Sequence, residues 1–221
     1  MGIISLEKSN HLYWLARYSE RAFTTIHTFM EAYDEMLDEN PDAYKEVCKN
    51  LSIPDIYGSK EVFVVNYLFD ENDPNSVITN LRRALDNAMV MRDVISSTSL
   101  SYVQLALDVM LAAKRKDFCL LDLQEVLDYT YAFWGCIDDN IENSSSRNIL
   151  KFARYIERID LYIRLDYDRI EIHKMYDRMK YRLNRSNIEY SELDFNLFSG
   201  TLLKGEDLHT SLWNLNNIYK D

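Results

Sequence analysis

Turn-forming residues are scarce in this chain, whose 221 residues include five glycines and three prolines. A fold of many short strands needs a turn roughly every 10 residues, and glycine and proline supply the backbone conformations of most tight turns. Their scarcity favours long elements with brief connections, as in helical proteins. Because no Gly-, Pro- or Ser-rich linker divides the chain, residues 1–221 are predicted to form a single all-α domain.

The spacing of apolar residues predicts the individual helices. Near the N-terminus, apolar or small residues recur at alternating intervals of three and four, which gives a helix one inward face. These residues are Leu12, Leu15, Ser19, Ala22, Ile26, Phe29 and Tyr33. The first helix is predicted from Ser5 or Ser9 to about Glu39, and the fourth to begin at Asp73 and Pro74.

The other predicted helices are joined by short connections, which make neighbouring helices antiparallel and favour an up-and-down bundle. For residues 62–69 a helix is preferred to a strand, since a short apolar run fits both. The predicted ranges are about 41–51, 62–69, 74–97, 100–116, 120–141 and 147–184, with shorter pieces that include 208–218.

The formal charge of −11 at pH 7 argues against a nucleic-acid or anionic-membrane partner, because clustered Lys and Arg supply most affinity for phosphate. No apolar run approaches the ~20 residues of a membrane-spanning helix, and Met1–Asn10 has no signal-peptide core. The protein is therefore expected to be cytoplasmic. Cys48, Cys119 and Cys136 are odd in number and widely spaced, so buried free thiols are expected.

Cofactor motifs are equally sparse in the sequence. A di-iron bundle needs paired Glu-x-x-His motifs, and only Glu206-x-x-His209 has that spacing. There is no Gly-rich phosphate loop of the Walker or dinucleotide type. The chain alone is therefore expected to bind no metal and no ATP.

One helical motif occurs twice, at an offset of 137 residues. HLYWLARYSERAFTTIHT (11–28) aligns with NILKFARYIERIDLYIRL (148–165), and both contain A-R-Y-x-E-R. The recurring residues are Ala16, Arg17, Tyr18, Glu20 and Arg21, and then Ala153, Arg154, Tyr155, Glu157 and Arg158. Five identities in six positions exceed what helix amphipathicity alone explains, so duplication or a shared structural role is expected.

The motif has two interpretations. Its charges lie at i, i+3 and i+4, so they could form local ion pairs on a solvated helix face, each worth about 0.3–0.5 kcal/mol. In the second copy, however, apolar residues flank the charges on both sides of the helix. This pattern predicts that the two segments meet in a half-buried network of Arg, Glu and Tyr. Such a network could be purely structural, or could present an arginine fork to a carboxylate or phosphate.

A third segment, NLRRALDNAMVMRDVISS (80–97), interleaves polar and apolar residues. It is either an ordinary amphipathic helix or part of the same site, to which it would contribute Asn87, Arg92 and Ser96. Together the three segments resemble the bacterial alpha-E domain family, a helical family named for its glutamate-containing motif. The matching stretches are HLYWLARYSERA, DPNSVITNLRRALDNAMVMRDVISS and FARYIERIDLYIRL, and they agree in order and spacing over about residues 5–170.

Two stretches depart from the family pattern. Thr98, Ser99 and Leu100 stand where the family usually has a Glu and a Trp, and ENSSS (142–146) replaces a charged, Gly-Trp-containing segment. Members of the family look like companions of circularly permuted ATP-grasp proteins, sometimes with transglutaminase-like ones, in systems inferred to form amide bonds. The resemblance thus implies an ATP-grasp-type partner that holds ATP and Mg, and a peptide or small carboxylate substrate.

The leading hypothesis is a helical subunit of such an amide-ligating or peptide-modifying system. Its predicted catalytic residues are Glu20, Glu157 and Arg154. The predicted ligand-binding residues, which would orient a carboxylate or acyl phosphate, are Arg17, Tyr18, Arg21, Asn87, Arg92, Ser96, Tyr155 and Arg158. The alternative is a non-catalytic adaptor that docks a partner enzyme, with the Arg and Glu residues serving only its core.

Overall fold

The computed structural model describes residues 4–116 and 119–220. These residues form eleven α-helices and one 3₁₀ helix, without a strand, which confirms the all-α prediction. The helices are α1 (Leu6–Asp38), α2 (Ala43–Leu51), α3 (Lys60–Phe69), α4 (Val77–Val90), α5 (Arg92–Ile95), α6 (Ser97–Lys114), α7 (Leu120–Asn140), α8 (Ser144–Arg164), α9 (Arg169–Ser186), α10 (Glu192–Lys204) and α11 (Leu212–Asn216), with the 3₁₀ helix at His209–Ser211. Across both described ranges, no helix combines the length and apolar character needed to cross a membrane.

The first helix, α1, is the centre of the bundle, and it packs against α2, α4, α7 and α8. It begins where predicted, because the Ser5 side chain accepts a hydrogen bond from the Lys8 amide at 3.3 Å and so caps the helix. Its predicted apolar stripe is buried from Leu12 to Phe29. Residues 62–69 are helical, as preferred, within α3.

The helices α1 and α8 run parallel to each other. Ser5, at the start of α1, shares a cleft with Ser146, at the start of α8. Further along, the rings of Tyr13 and Phe152 lie 6.3 Å apart. Near the far ends, Thr28 and Leu165 line one pocket. Equivalent positions of the two repeated segments therefore lie at about the same level along the axes of α1 and α8.

The predicted start of the fourth helix is wrong by one turn. Asp73 accepts from the Asn75 amide at 2.8 Å and closes a turn, while the Ser76 side chain accepts from the Thr79 amide and caps α4. The helix ends at Val90, and a short α5 follows it, so the predicted span of 74–97 is divided. The helical conformation is interrupted at Ser96, because a φ of 74° cannot continue a right-handed helix.

The single long helix predicted over 147–184 is also wrong. α8 ends at Arg164, Asp166 adopts a left-handed φ of 52°, and the Asp168 side chain caps α9 by accepting from the Ile170 amide at 2.8 Å. α9 then packs back along α8. A carboxylate that caps a new helix competes with continuation of the old one, and this competition divides the segment.

The cysteines depart in part from their predicted burial. Cys48 is buried, Cys136 is half-buried, and Cys119 is exposed because it occupies the N-cap position of α7. All three are free thiols.

Candidate functional site

The two repeated motifs meet face to face where α1 packs against α8. Glu157 of α8 accepts hydrogen bonds from two arginines of α1, with Arg17 Nε on Oε2 and Arg21 Nε on Oε1, the latter at 2.5 Å. The Glu157 side chain has no solvent exposure. Both carboxylate oxygens therefore face guanidinium groups of the other helix.

Glu20 of α1 is bound by two arginines of α8 in the equivalent way. Its Oε2 accepts from Arg154 Nε at 2.8 Å and its Oε1 from Arg158 Nε at 2.5 Å, and its side chain is likewise fully buried. Each glutamate thus binds the arginines of the other motif. This swap is what two equivalent surfaces related by an approximate two-fold axis produce, since a contact from i to j is then repeated from j to i.

The six residues Arg17, Glu20, Arg21, Arg154, Glu157 and Arg158 are hereafter called the arginine cluster. Its formation confirms the prediction that the two distant motifs meet. Within the described residues, no ion pair joins members of the same motif, so the local pairs of a solvated helix face are not formed. Buried carboxylates need charged partners with good geometry, and the other helix provides them.

Arg17 is the most deeply buried arginine of the cluster, with 5% exposure. Besides Glu157, it donates from Nη1 to the Tyr13 hydroxyl at 2.9 Å and from Nη2 to Asn216 Oδ1 at 2.7 Å. Its guanidinium carbon also lies 5.7 Å from the centre of the Trp14 ring. Each of the three nitrogens of Arg17 donates a hydrogen bond within the chain, so this side chain is held firmly in place, and its predicted ligand-binding role remains a prediction.

The cluster keeps its charges despite burial. Burial alone would raise the pKa of Glu157, but attraction to Arg17 and Arg21 and their hydrogen bonds outweigh it and lower that pKa. Glu157 in turn raises the pKa of Arg21, and Glu20 raises the pKa of Arg158 against the effect of burial. A carboxylate with a lowered pKa and two occupied oxygens is a poor proton acceptor at neutral pH. Glu157 is therefore placed to hold its two arginines, and the catalytic role predicted for Glu157, Glu20 and Arg154 remains a prediction.

This lowered pKa predicts an acid-sensitive component of stability. The unfolded chain binds a proton on Glu157 near pH 4.3 while the folded chain does not, so stability rises with pH in this range. The contribution is complete above about pH 5 and is lost as the pH falls through the folded-state pKa. Urea unfolding should be measured from pH 6 to pH 3. The difference in the free energy of unfolding between wild type and Glu157→Gln should become smaller as the pH falls. A gap independent of pH would contradict an ionised Glu157.

Arg21 is the arginine of the cluster best placed to bind a ligand. Its side chain is 33% exposed, and only Nε is hydrogen-bonded to another described residue. Its terminal nitrogens are available to a cleft of about 300 Å³, which is also lined by Tyr67, Asn75, Asp160 and Arg164. This cleft is hereafter called the Arg21 cleft. Asp160 pairs with Arg164 at 2.7 Å, and Glu157 pairs with Arg21 through Nε alone, so the terminal nitrogens of Arg21 are the donors left for a ligand in this cleft.

The other two exposed arginines are more constrained. Arg154 stacks on Trp134, with its guanidinium carbon 4.2 Å from the ring centre, and has 17% side-chain exposure. The side chain of Arg158 is 15% exposed, and its Nη2 makes a second contact with Glu20. Both hold Glu20 from the solvent side, and Arg154 retains unused nitrogen donors in the described structure.

The two motif tyrosines lie beside the cluster. Tyr18 stacks on Trp14 with ring centres 5.5 Å apart, and the Arg83 guanidinium lies 5.6 Å from its ring. Tyr155 is half-buried and packs against the core. In residues 4–116 and 119–220, neither hydroxyl donates to the cluster, so their predicted ligand-binding role remains a prediction.

The three predicted residues of the third segment lie outside the arginine cluster, and their ligand-binding role remains a prediction. Asn87 pairs with His11 at 2.9 Å, and exposed Arg92 donates to the Ser97 hydroxyl at 3.1 Å. Ser96 lines a different cleft, beside Ser5 at the start of α1. Twelve residues of helix separate Ser5 from Arg17, which is about 18 Å along the axis. The interleaving of polar and apolar residues predicts an amphipathic helix, but it does not specify which part of α1 that helix contacts.

Three residues of the site were not foreseen. Asn216 bridges Arg17 and Asp160, and donates to the latter at 2.6 Å, although 199 residues separate it from Arg17. Trp134 supplies the ring under Arg154. The sequence gives a reason to select Asp160, because it is a carboxylate in the apolar run that follows the second motif. No sequence pattern points to Asn216 or Trp134 as residues of the site.

A family model matches residues 8–189, and it describes Alpha-E, a predicted α-helical domain with a conserved ER motif. The chain belongs to the Alpha-E family. In this Alpha-E chain, the ER dipeptides are Glu20-Arg21 and Glu157-Arg158, whose reciprocal ion pairs close the contact between α1 and α8. No curated protein and no solved structure matches the chain.

One of the two stretches that depart from the expected Alpha-E pattern lies beside Ser96, which directly precedes the helix that carries the other. Thr98 and Leu100 lie in the first turns of α6, and residues 142–146 lead into α8. Ser96, Glu142 and Ser146 line the same cleft. Over both described ranges, no group of three or more His, Cys, Asp or Glu residues is arranged to hold a metal ion.

Proposed function

We propose that this Alpha-E chain is the helical subunit of an ATP-grasp-linked system that forms amide bonds or modifies peptides. Its part is to orient a carboxylate or acyl phosphate in the Arg21 cleft. The observation that supports the proposal is the imbalance of charge, since four arginines of the cluster share two glutamates. Arg21, whose terminal nitrogens have no partner among the described residues, lines the cleft together with Arg164, which is paired with Asp160 at 2.7 Å.

The geometry suits binding of a planar anion. A guanidinium fork binds a carboxylate or phosphate through two parallel hydrogen bonds, which fixes orientation as well as position. Glu157 holds Arg21 through Nε and leaves the terminal nitrogens for the ligand. Placing one reactant in a fixed orientation can lower a ligation barrier by several kcal/mol. The partner, in this proposal, supplies ATP and Mg, and with them the activation of the carboxylate.

The test is coexpression with a neighbouring ATP-grasp protein, followed by mass spectrometry of a candidate peptide. Arg21→Met should lower the yield of modified product about 100-fold, because the reactant loses its orientation. Arg21→Lys should recover only part, since an ammonium lacks the fork. The matched control is Arg178→Met on the exposed face of α9, which should leave the yield unchanged.

One observation favours the alternative of a non-catalytic adaptor. Every carboxylate oxygen of Glu20 and Glu157 is already bonded within the chain, so the cluster can be complete as a structural element. In that case Arg21→Met leaves product formation unchanged as long as the variant is folded and still binds its partner. Thermal unfolding and copurification of the same samples separate this outcome from loss of the fold.

A further inference from the structure

A second cleft, of about 720 Å³, lies at the end of the bundle where α1 begins. It is lined by residues that include Ser5, Lys8, Ser96, Glu142 and Ser146, and is hereafter called the N-terminal cleft. Its volume falls within the roughly 300–1,000 Å³ range of small-molecule sites. It lies about 18 Å from the arginine cluster along α1, so it is a separate site.

Three long helices point their N-terminal ends at this cleft. Their capping residues Ser5, Ser96 and Asn143, which precede α1, α6 and α8, all line it. Each helix N-terminus carries unpaired amides and about half a positive charge. Converging N-termini therefore create a local potential that favours a carboxylate or phosphate, in a chain whose overall charge is −11.

Ser146 provides independent evidence that the cleft takes a ligand. This residue is 3% exposed, and its hydroxyl forms no hydrogen bond with any other part of the described chain. Its amide is used in the cap of α8, where it donates to Asn143 at 3.1 Å. The hydroxyl is not among the fully buried side-chain atoms without a partner, so it faces the cleft and can bond there to a ligand.

The charged side chains of the cleft indicate what kind of ligand it takes. Lys8 lines it with one positive charge, and Asp93 and Glu142 line it with two negative charges. None of the three forms an ion pair within residues 4–116 and 119–220. A simple anion would be attracted by the helix ends and Lys8 but repelled by both carboxylates. A ligand with one anionic and one cationic group satisfies all of them.

We propose that the N-terminal cleft binds a zwitterion of the free amino-acid class. The carboxylate lies toward Lys8, the Ser146 hydroxyl and the helix N-termini, and the ammonium lies toward Asp93 and Glu142. This inference does not depend on the proposed function, because it involves no residue of the arginine cluster.

Calorimetric titration of the full chain tests the proposal, with the twenty proteinogenic amino acids as single probes beside acetate, methylammonium and inorganic phosphate. At least one amino acid should bind about tenfold more tightly than acetate or methylammonium, since it gains from both halves of the cleft. Its addition should shift the NMR signals of amides 97–99 and 144–146. Phosphate or acetate binding as tightly as any amino acid would overturn the zwitterion assignment, as would the absence of saturable binding below about 10 mM.

Variants of residues that line the cleft make the test specific. Asp93→Asn combined with Glu142→Gln should weaken the amino acid about tenfold without weakening acetate, because only the ammonium loses its partners. Ser146→Ala should weaken both ligands, through loss of a donor to the carboxylate. Asp177→Asn on α9 is the matched control and should change neither affinity. Equal weakening of amino acid and acetate by the double variant would refute the assignment of the ammonium.

Discussion

Replacing Glu157 by Gln should lower the free energy of unfolding by about 3–5 kcal/mol, the cost of breaking a buried ion pair by removing one partner. Arg17 would remain charged and 5% exposed, but without a carboxylate. Its other partners, Tyr13 and Asn216, are neutral and cannot replace that charge. For a domain of this size the loss corresponds to a fall in Tm of roughly 6–20 °C.

Urea unfolding monitored by circular dichroism measures this effect, and Glu189→Gln is the control, because Glu189 is an exposed glutamate at the end of the same helical hairpin. Glu20→Gln should be less damaging than Glu157→Gln. Its partners Arg154 and Arg158 have 17% and 15% side-chain exposure, so water can solvate them when the carboxylate is removed. If Glu157→Gln lowers the free energy of unfolding by less than about 1 kcal/mol, the carboxylate is solvated and the arginine cluster is open to water.

The local parts of the fold were the most predictable from sequence. The Ser5 cap and the buried face of α1 follow from hydroxyl chemistry and helical periodicity, both of which operate within a few residues. The break at Asp168 was missed because the apolar periodicity of 147–184 continues through it. Asp168 and Asp166 together redirect the backbone there, and an Asp inside a helical pattern is equally common on a solvated face.

The site was predictable only where the sequence repeats itself. The recurrence of Arg17 and Glu20 as Arg154 and Glu157 indicated that two distant helices share one environment, and the structure brings them together. The swap of partners between helices could not be read from spacing, because i, i+3 and i+4 positions also allow local pairs. Asn216 illustrates the opposite limit, since a neutral amide near the C-terminus carries no pattern that points to Arg17.

The swap predicts a specific difference between two double-mutant cycles. The cycle of Arg17→Met with Glu157→Gln joins residues on different helices that are bonded to each other. The cycle of Arg17→Met with Glu20→Gln joins residues three positions apart on α1 that have different carboxylate or guanidinium partners. The first pair should show a coupling energy of about 2–3 kcal/mol, and the second less than about 0.5 kcal/mol.

The reason for this difference is the fate of each buried charge. Once Glu157 is neutral, Arg17 has lost its counter-ion, so removing its guanidinium as well costs little more. Removing Glu20 leaves the pair of Arg17 and Glu157 intact, so the two losses add. The measurement is urea unfolding of the three variants of each cycle beside wild type. Equal couplings would mean that the arginines exchange partners freely, and the reciprocal arrangement of the two motifs would then be excluded.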